Sequence, residues 1–123
     1  MTTMIRETRS GGYSAWAWIL QAASGALLVV LLSLHLIAQH FMAPGGVLEY
    51  NEVVAHLRNP IIFVLETAFA GSVLFHAFAG VRAILLDLGL SKTQERPINI
   101  TLTVLGVGLF VYGLILTLAT VTR

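Results

Sequence analysis

The sequence predicts an all-α integral membrane protein with three transmembrane helices. Three observations lead there. The hydrophobic fraction is 57% and the charged fraction only 11%, whereas a soluble domain carries about a quarter charged residues. The chain has 123 residues, enough for one domain, 1–123, but too few to hide that much apolar surface in a core of its own. Three apolar segments, about 15–41, 60–87 and 98–121, each exceed the ~20 residues a helix needs to cross a bilayer. The apolar surface must therefore face lipid, partner subunits or both. There is no cysteine, which excludes disulfides and thiolate metal sites. A net charge of +1 gives no footprint for nucleic acid.

Span one opens with Trp16 and Trp18, which with Tyr13 are expected in an aromatic belt at the membrane surface. It is too long for a cleaved signal peptide, and no small-residue cleavage site follows its apolar core. The connection "APGGVLEYNEVVAHLRNP" then holds a short interfacial helix around Leu48–Leu57. Span two follows, and "GLSKTQERP" joins it to span three. Pro44, Pro60 and Pro97 mark the segment ends, as prolines near helix boundaries do. Gly106, Gly108 and Gly113 in span three read as small-residue helix packing.

Lysine and arginine set the orientation. Arg6, Arg9, Arg82, Lys92 and Arg96 fall on one side, and Arg58 and Arg123 on the other. The richer side is expected in the cytoplasm, which puts the N-terminus inside and the C-terminus outside. The expected location is the cytoplasmic membrane of a bacterial or archaeal cell, crossed several times.

The histidines carry the chemistry. His56 lies in the outer connection and reads as a solvated or interfacial polar residue. His40, beside Gln39 at the outer end of span one, reads as an interfacial hydrogen-bonding group. His35 and His76 fall well inside apolar segments, where an ionisable side chain is costly and marks a functional site by default. Two readings stay open for them: a hydrogen bond to a neighbouring helix, or ligation of iron through a neutral imidazole. At the helical rise of 1.5 Å per residue, His35 stands ~27 Å from the inner surface and His76 ~16 Å. A difference of roughly 10 Å prevents them from ligating opposite faces of one iron. If both bind haem, there are two haems, each completed by another chain.

Small residues accompany each level. Ser24 and Gly25 are expected near the level of His76, Gly71 and Ser72 near that of His35, either to let a porphyrin pass or for ordinary helix packing. Asp87 follows His76 by eleven residues, three helical turns plus ~20°, hence on the same face at the inner surface. Arg82 lies between them, about a third of a turn aside. Its guanidinium suits a haem propionate or simply snorkels to the inner surface. Glu66 is a buried carboxyl at roughly the level of His35, with protonation, pairing and proton relay all open to it.

The stretch "HAFAGVRAILLDLG", His76–Gly89, resembles the second span of the small membrane-anchor subunits of succinate dehydrogenase and fumarate reductase. His76, Gly80, Arg82 and Asp87 carry the match. "SGALLVVLLSLH", Ser24–His35, resembles the first span of the di-haem anchors in that family. The resemblance covers roughly residues 15–120. It implies half of a heterodimeric haem-binding bundle, a cytochrome b made with a second anchor subunit that docks an iron–sulfur subunit and a flavoprotein subunit. By this match His76 is the axial ligand of a proximal haem b near the cytoplasm, and His35 that of a distal haem b. Ser24 and Asp87 would border a quinone site, for menaquinone or ubiquinone. Two positions depart from the pattern: Leu88 stands where single-haem branches carry a quinone-binding tyrosine, and Gln21 where an arginine is frequent.

The chain has no dinucleotide fingerprint and no nucleophile constellation, so no catalytic site of its own is expected. The main reading is a non-catalytic redox subunit of succinate dehydrogenase that carries electrons from the iron–sulfur subunit to quinone. The alternatives are the anchor of a quinol:fumarate reductase and a haem-free structural anchor. A transporter subunit is disfavoured by the lack of paired broken helices. The charge asymmetry is directly testable. A cysteine introduced at Glu52 should label from outside intact cells, and one at Lys92 should not; outside labelling at Lys92 would reverse the orientation.

Overall fold

The computed structural model describes residues 15–123. Arg6, Arg9 and Tyr13, used above for orientation, lie outside the described residues. The chain runs as α1 (Ala15–Leu36), a π-helical turn (Ile37–Phe41), α2 (Tyr50–Leu57), α3 (Pro60–Asp87) and α4 (Lys92–Val121). Among the described residues, three helical stretches are long and apolar enough to cross a membrane: Ala15–Phe41, Pro60–Asp87 and Lys92–Val121. None of the three is strongly amphipathic, as expected of helices surrounded by lipid and protein. α3 lies in the middle, with α1 packed along one side and α4 along the other, while α2 rests on α3 and α4.

The ends follow from local chemistry. Asn59 caps α3: its Oδ1 accepts from the Ile61 amide at 2.9 Å, and Pro60 takes the first helical position, where a missing N–H costs nothing. Gly89 ends α3 in the left-handed region at φ 86°, and its amide donates back to the Leu86 carbonyl at 3.1 Å. α2 begins where the Glu49 amide donates to the Glu52 carboxylate at 2.8 Å. It starts at Tyr50, two residues after the expected Leu48. At the outer end of the bundle, Arg58 Nε donates to the Val121 carbonyl at 3.1 Å, closing the C-terminus of α4 with a cation.

The start of span three differs from the sequence expectation. α4 begins at Lys92, capped by Ser91, whose amide donates to Gln94 Oε1 at 3.1 Å. Pro97 is thus inside the helix rather than at its boundary. The proline removes only the N–H that would have bonded the Thr93 carbonyl. Thr93 is exposed at the polar end of the helix, where water can satisfy that carbonyl.

The bundle has little core. Among the described residues only Ser24, Leu31, Ala38 and Ala43 are buried. Close approach of the helices depends on glycines. A Cβ on Gly106 of α4 would stand 3.3 Å from the Phe78 ring of α3, and one on Gly71 of α3 would stand 3.2 Å from the Phe110 ring of α4. Gly71 therefore packs against α4 rather than opening a passage beside His35. By contrast, Gly108 and Gly113 face open space. Val104, Val107, Val111 and Ile115 of α4 are also exposed, leaving a broad apolar surface for lipid or another subunit.

Candidate functional site

Two polar clusters bridge α1 and α3, one above the other. The inner one is built on His76. Its Nδ1 lies 2.9 Å from Ser24 Oγ, and the same hydroxyl donates to the Gln21 carbonyl at 2.9 Å. A serine hydroxyl has one proton to give. With that proton on the Gln21 carbonyl, the oxygen accepts from His76, so the imidazole carries its proton on Nδ1 and a lone pair on Nε2. Gly25 makes room for the ring: a Cβ there would meet His76 Cε1 at 3.1 Å. Gln21 completes the cluster by donating from Nε2 to the His76 carbonyl at 3.2 Å. Gly80, one turn further on, accommodates that amide, since a Cβ would stand 3.2 Å from it. The Gln21 Oε1 atom is buried with no hydrogen-bond partner among the described residues.

The outer cluster is built on His35. Its Nδ1 lies 2.7 Å from Glu66 Oε2, and Gln39 Nε2 donates to Glu66 Oε1 at 3.0 Å. The His35 ring stacks on Phe69, with centroids 4.9 Å apart and planes inclined by 29°. Of the openings left for Glu66 by the sequence, the structure takes the pairing. The inner and outer clusters are separated by eleven residues of α1, from Ser24 to His35, and ten of α3, from Glu66 to His76, or ~15 Å of helix at 1.5 Å per residue. That is more than the roughly 10 Å read from the sequence. The earlier figure counted from estimated span ends, whereas the observed side-chain contacts fix the register of α1 against α3.

The remaining candidates fall elsewhere. Arg82 turns toward α4, where its Nε donates to Asn99 Oδ1 at 2.6 Å. Asp87 is exposed at the last residue of α3, ~16 Å along the helix from His76, so Ser24 and Asp87 stand at different levels. His40 lies in the π-helical turn at the outer end of span one, its Nδ1 3.2 Å from the Gly46 carbonyl, in keeping with an interfacial hydrogen-bonding group. His56 differs from the solvated reading: its Nε2 is buried without a hydrogen-bond partner among the described residues. Three participants were not singled out from the sequence. Gln39 carries a signal, being one turn beyond His35 on the same face. Phe69 and Asn99 carry none, because ring stacking and an amide on a neighbouring helix have no spacing signature.

Among the described residues, no three of His, Cys, Asp and Glu converge as a chelating group. What the bundle offers is one imidazole per level, each tethered at Nδ1. Residues 5–116 match the model of a family described as the succinate dehydrogenase/fumarate reductase transmembrane subunit. The chain belongs to this family. It is 34% identical over 100 residues to a succinate dehydrogenase hydrophobic membrane anchor subunit of Archaeoglobus fulgidus, covering 81% of this chain and 85% of that one. It is 30% identical over 112 residues to the like-named subunit of Thermoplasma acidophilum, covering 91% of each. It is 34% identical over 82 residues to the succinate dehydrogenase 2 membrane subunit SdhC of Mycobacterium tuberculosis, covering 67% of this chain and 60% of that one. No solved structure matches at a significant level.

In this transmembrane subunit the inner cluster makes a graded prediction. Ser24→Ala leaves the part-buried His76 Nδ1–H without its acceptor and removes an interhelical hydrogen bond, at a cost of about 0.6 kcal/mol. Gly25→Val also pushes the ring itself, starting from a 3.1 Å contact. The thermal midpoint of the solubilised assembly should fall for Ser24→Ala and fall further for Gly25→Val. An unchanged midpoint in Gly25→Val would show that the ring does not occupy this slot.

Proposed function

We propose that this chain is a membrane-anchor subunit of succinate:quinone oxidoreductase that helps bind haem b and carries electrons from an iron–sulfur subunit to quinone. The observation that carries the haem reading is the pair of imidazoles tethered at Nδ1, one per level, inside membrane-spanning helices. Porphyrin supplies four nitrogens to its iron, so the protein need contribute only axial ligands. A chelating cluster is not required, and single histidines suffice. Metal-bound histidines nearly always donate their other N–H to a hydroxyl, carbonyl or carboxylate that fixes the tautomer. Ser24 provides this for His76 and Glu66 for His35.

The residues then divide the work. His76 Nε2 would hold the inner haem iron and His35 Nε2 the outer one. Ser24 and Glu66 orient the two rings, Phe69 braces the outer one, and Gly25 leaves space beside the inner one. A bound haem b supplies a one-electron carrier within the membrane. Because ~15 Å of helix separates the two imidazoles, they would hold two separate haems rather than one, and another chain would have to complete each site. A second anchor subunit meets that need and would cover part of the exposed apolar surface. The iron–sulfur and flavoprotein subunits would dock at the end bearing Asp87 and Lys92, nearer His76. The quinone, menaquinone or ubiquinone, would bind on that side. The names of the relatives favour succinate oxidation over fumarate reduction as the working direction.

The reading is tested by counting haem. In the purified complex with its partners, His76→Ala should lose one b haem and His35→Ala the other, while His40→Ala keeps both. Full haem content in assembled His76→Ala and His35→Ala complexes would leave this chain as a structural anchor that ligates no haem itself.

A further inference from the structure

The two imidazoles are tethered by groups of different charge. His76 donates to a neutral hydroxyl at 2.9 Å, whereas His35 faces a carboxylate at 2.7 Å. We propose that Glu66 is a positioning residue that presents His35 Nε2 to the outer haem iron and, as an anion behind the ligand, lowers the reduction potential of that haem. The proposal rests on His35 being an axial ligand.

The hydrogen bonds suit a charged carboxylate. An imidazole that binds iron through Nε2 keeps its proton on Nδ1. Glu66 Oε2 accepts from that N–H, and Oε1 accepts from Gln39 at 3.0 Å. Both carboxylate oxygens face N–H donors, the arrangement that suits a carboxylate anion. The side chains of His35 and Glu66 are 28% and 17% exposed, which leaves little water to screen the pair. A hydrogen bond to a charged acceptor is roughly twice as strong as one between neutral groups. It also makes the ligated imidazole more basic, and a carboxylate partner does this more than a hydroxyl. A more basic axial ligand favours the ferric over the ferrous iron. Gln39 and Phe69 hold the geometry in which this acts: one fixes the carboxylate, the other the plane of the ring. Ser24 gives His76 the same tautomer without the charge, so the two sites are matched in position and unequal in electronics.

The test is a redox titration of the b-haem absorption, with ferric electron paramagnetic resonance, on the assembled complex. The outer haem is identified as the one missing in His35→Ala. Glu66→Gln is close to isosteric and can still accept from Nδ1–H. It should keep both haems and shift the reduction equilibrium of the outer one toward the ferrous form by about tenfold, ~59 mV for a one-electron couple. The inner haem should not move. Glu66→Asp retains the charge at a greater distance and should fall between wild type and Glu66→Gln. It also carries the test if Glu66→Gln does not assemble. An outer haem with unchanged potential and resonance in every assembled Glu66 variant overturns the role of Glu66 and leaves His35 as ligand intact. If His35→Ala keeps both haems, the ligand assignment itself is overturned.

Discussion

The hydrocarbon core of a bilayer offers no hydrogen bonds, and a polar group placed there must find its partner in protein. This chain sends Gln21, Ser24, His35 and His76 into its spans, with Glu66 beside His35, and the contact between α1 and α3 is organised around satisfying them. The register follows from that. Sliding α1 along α3 by one turn would separate Ser24 from His76 and His35 from Glu66 together, leaving several unpaired polar groups in an apolar medium. Each interhelical hydrogen bond in a membrane is worth only about 0.6 kcal/mol on average. The bonds therefore do little to hold the helices together. Their effect is to select one register and one imidazole tautomer among arrangements that apolar packing alone would leave nearly equal.

Association itself depends on small residues. Gly25 and Gly80 let α1 and α3 approach around His76 and Gln21, and Gly71 and Gly106 let α3 and α4 approach around Phe110 and Phe78. The two interfaces use the same device for different ends. Between α3 and α4 the glycines receive phenylalanine rings, and the result is packing. Between α1 and α3 they receive an imidazole and an amide, and the result is a polar site whose histidine has no hydrogen bond at Nε2 among the described residues. The polar clusters and the glycine–phenylalanine packing thus lie on opposite sides of α3, and Arg82, turned toward Asn99 on α4, belongs by position to the packing side.

How much of this could be read from the sequence depends on the range of the interaction. The spans were legible because length and apolar content act locally, and the match of family and relatives agrees with the anchor reading. Ser24, Gly25, His35, Glu66 and His76 stood out as polar or small residues in apolar runs. What one sequence could not give was the pairing. Depths counted from estimated span ends carry an error of several residues, which is why the separation came out near 10 Å instead of ~15 Å. Pro97 misled for a different reason. Proline strongly opposes a helix interior, but it is tolerated where the carbonyl it orphans can reach water. The sequence does not mark that level, because Lys92–Arg96 reads equally well as connection or as the polar first turns of α4.

The sparse core bears on what the chain must do in company. Only a handful of described residues are buried, yet hydrophobic residues make up 57% of the chain. Lipid can cover side chains such as Val107 and Ile115, so exposure alone does not demand a partner. The histidines make a stronger demand. His35 and His76 each keep an Nε2 that the described residues leave without a hydrogen bond, while their Nδ1 atoms are bonded across the helix pair. In water such a nitrogen would be solvated at no cost; inside a membrane it needs a donor or a metal. The two clusters cannot serve each other, being ~15 Å apart along the antiparallel pair α1 and α3. Whatever satisfies them must therefore reach two depths at once. Two haems stacked between this chain and a second anchor would do so, and would use the exposed apolar surface beside them.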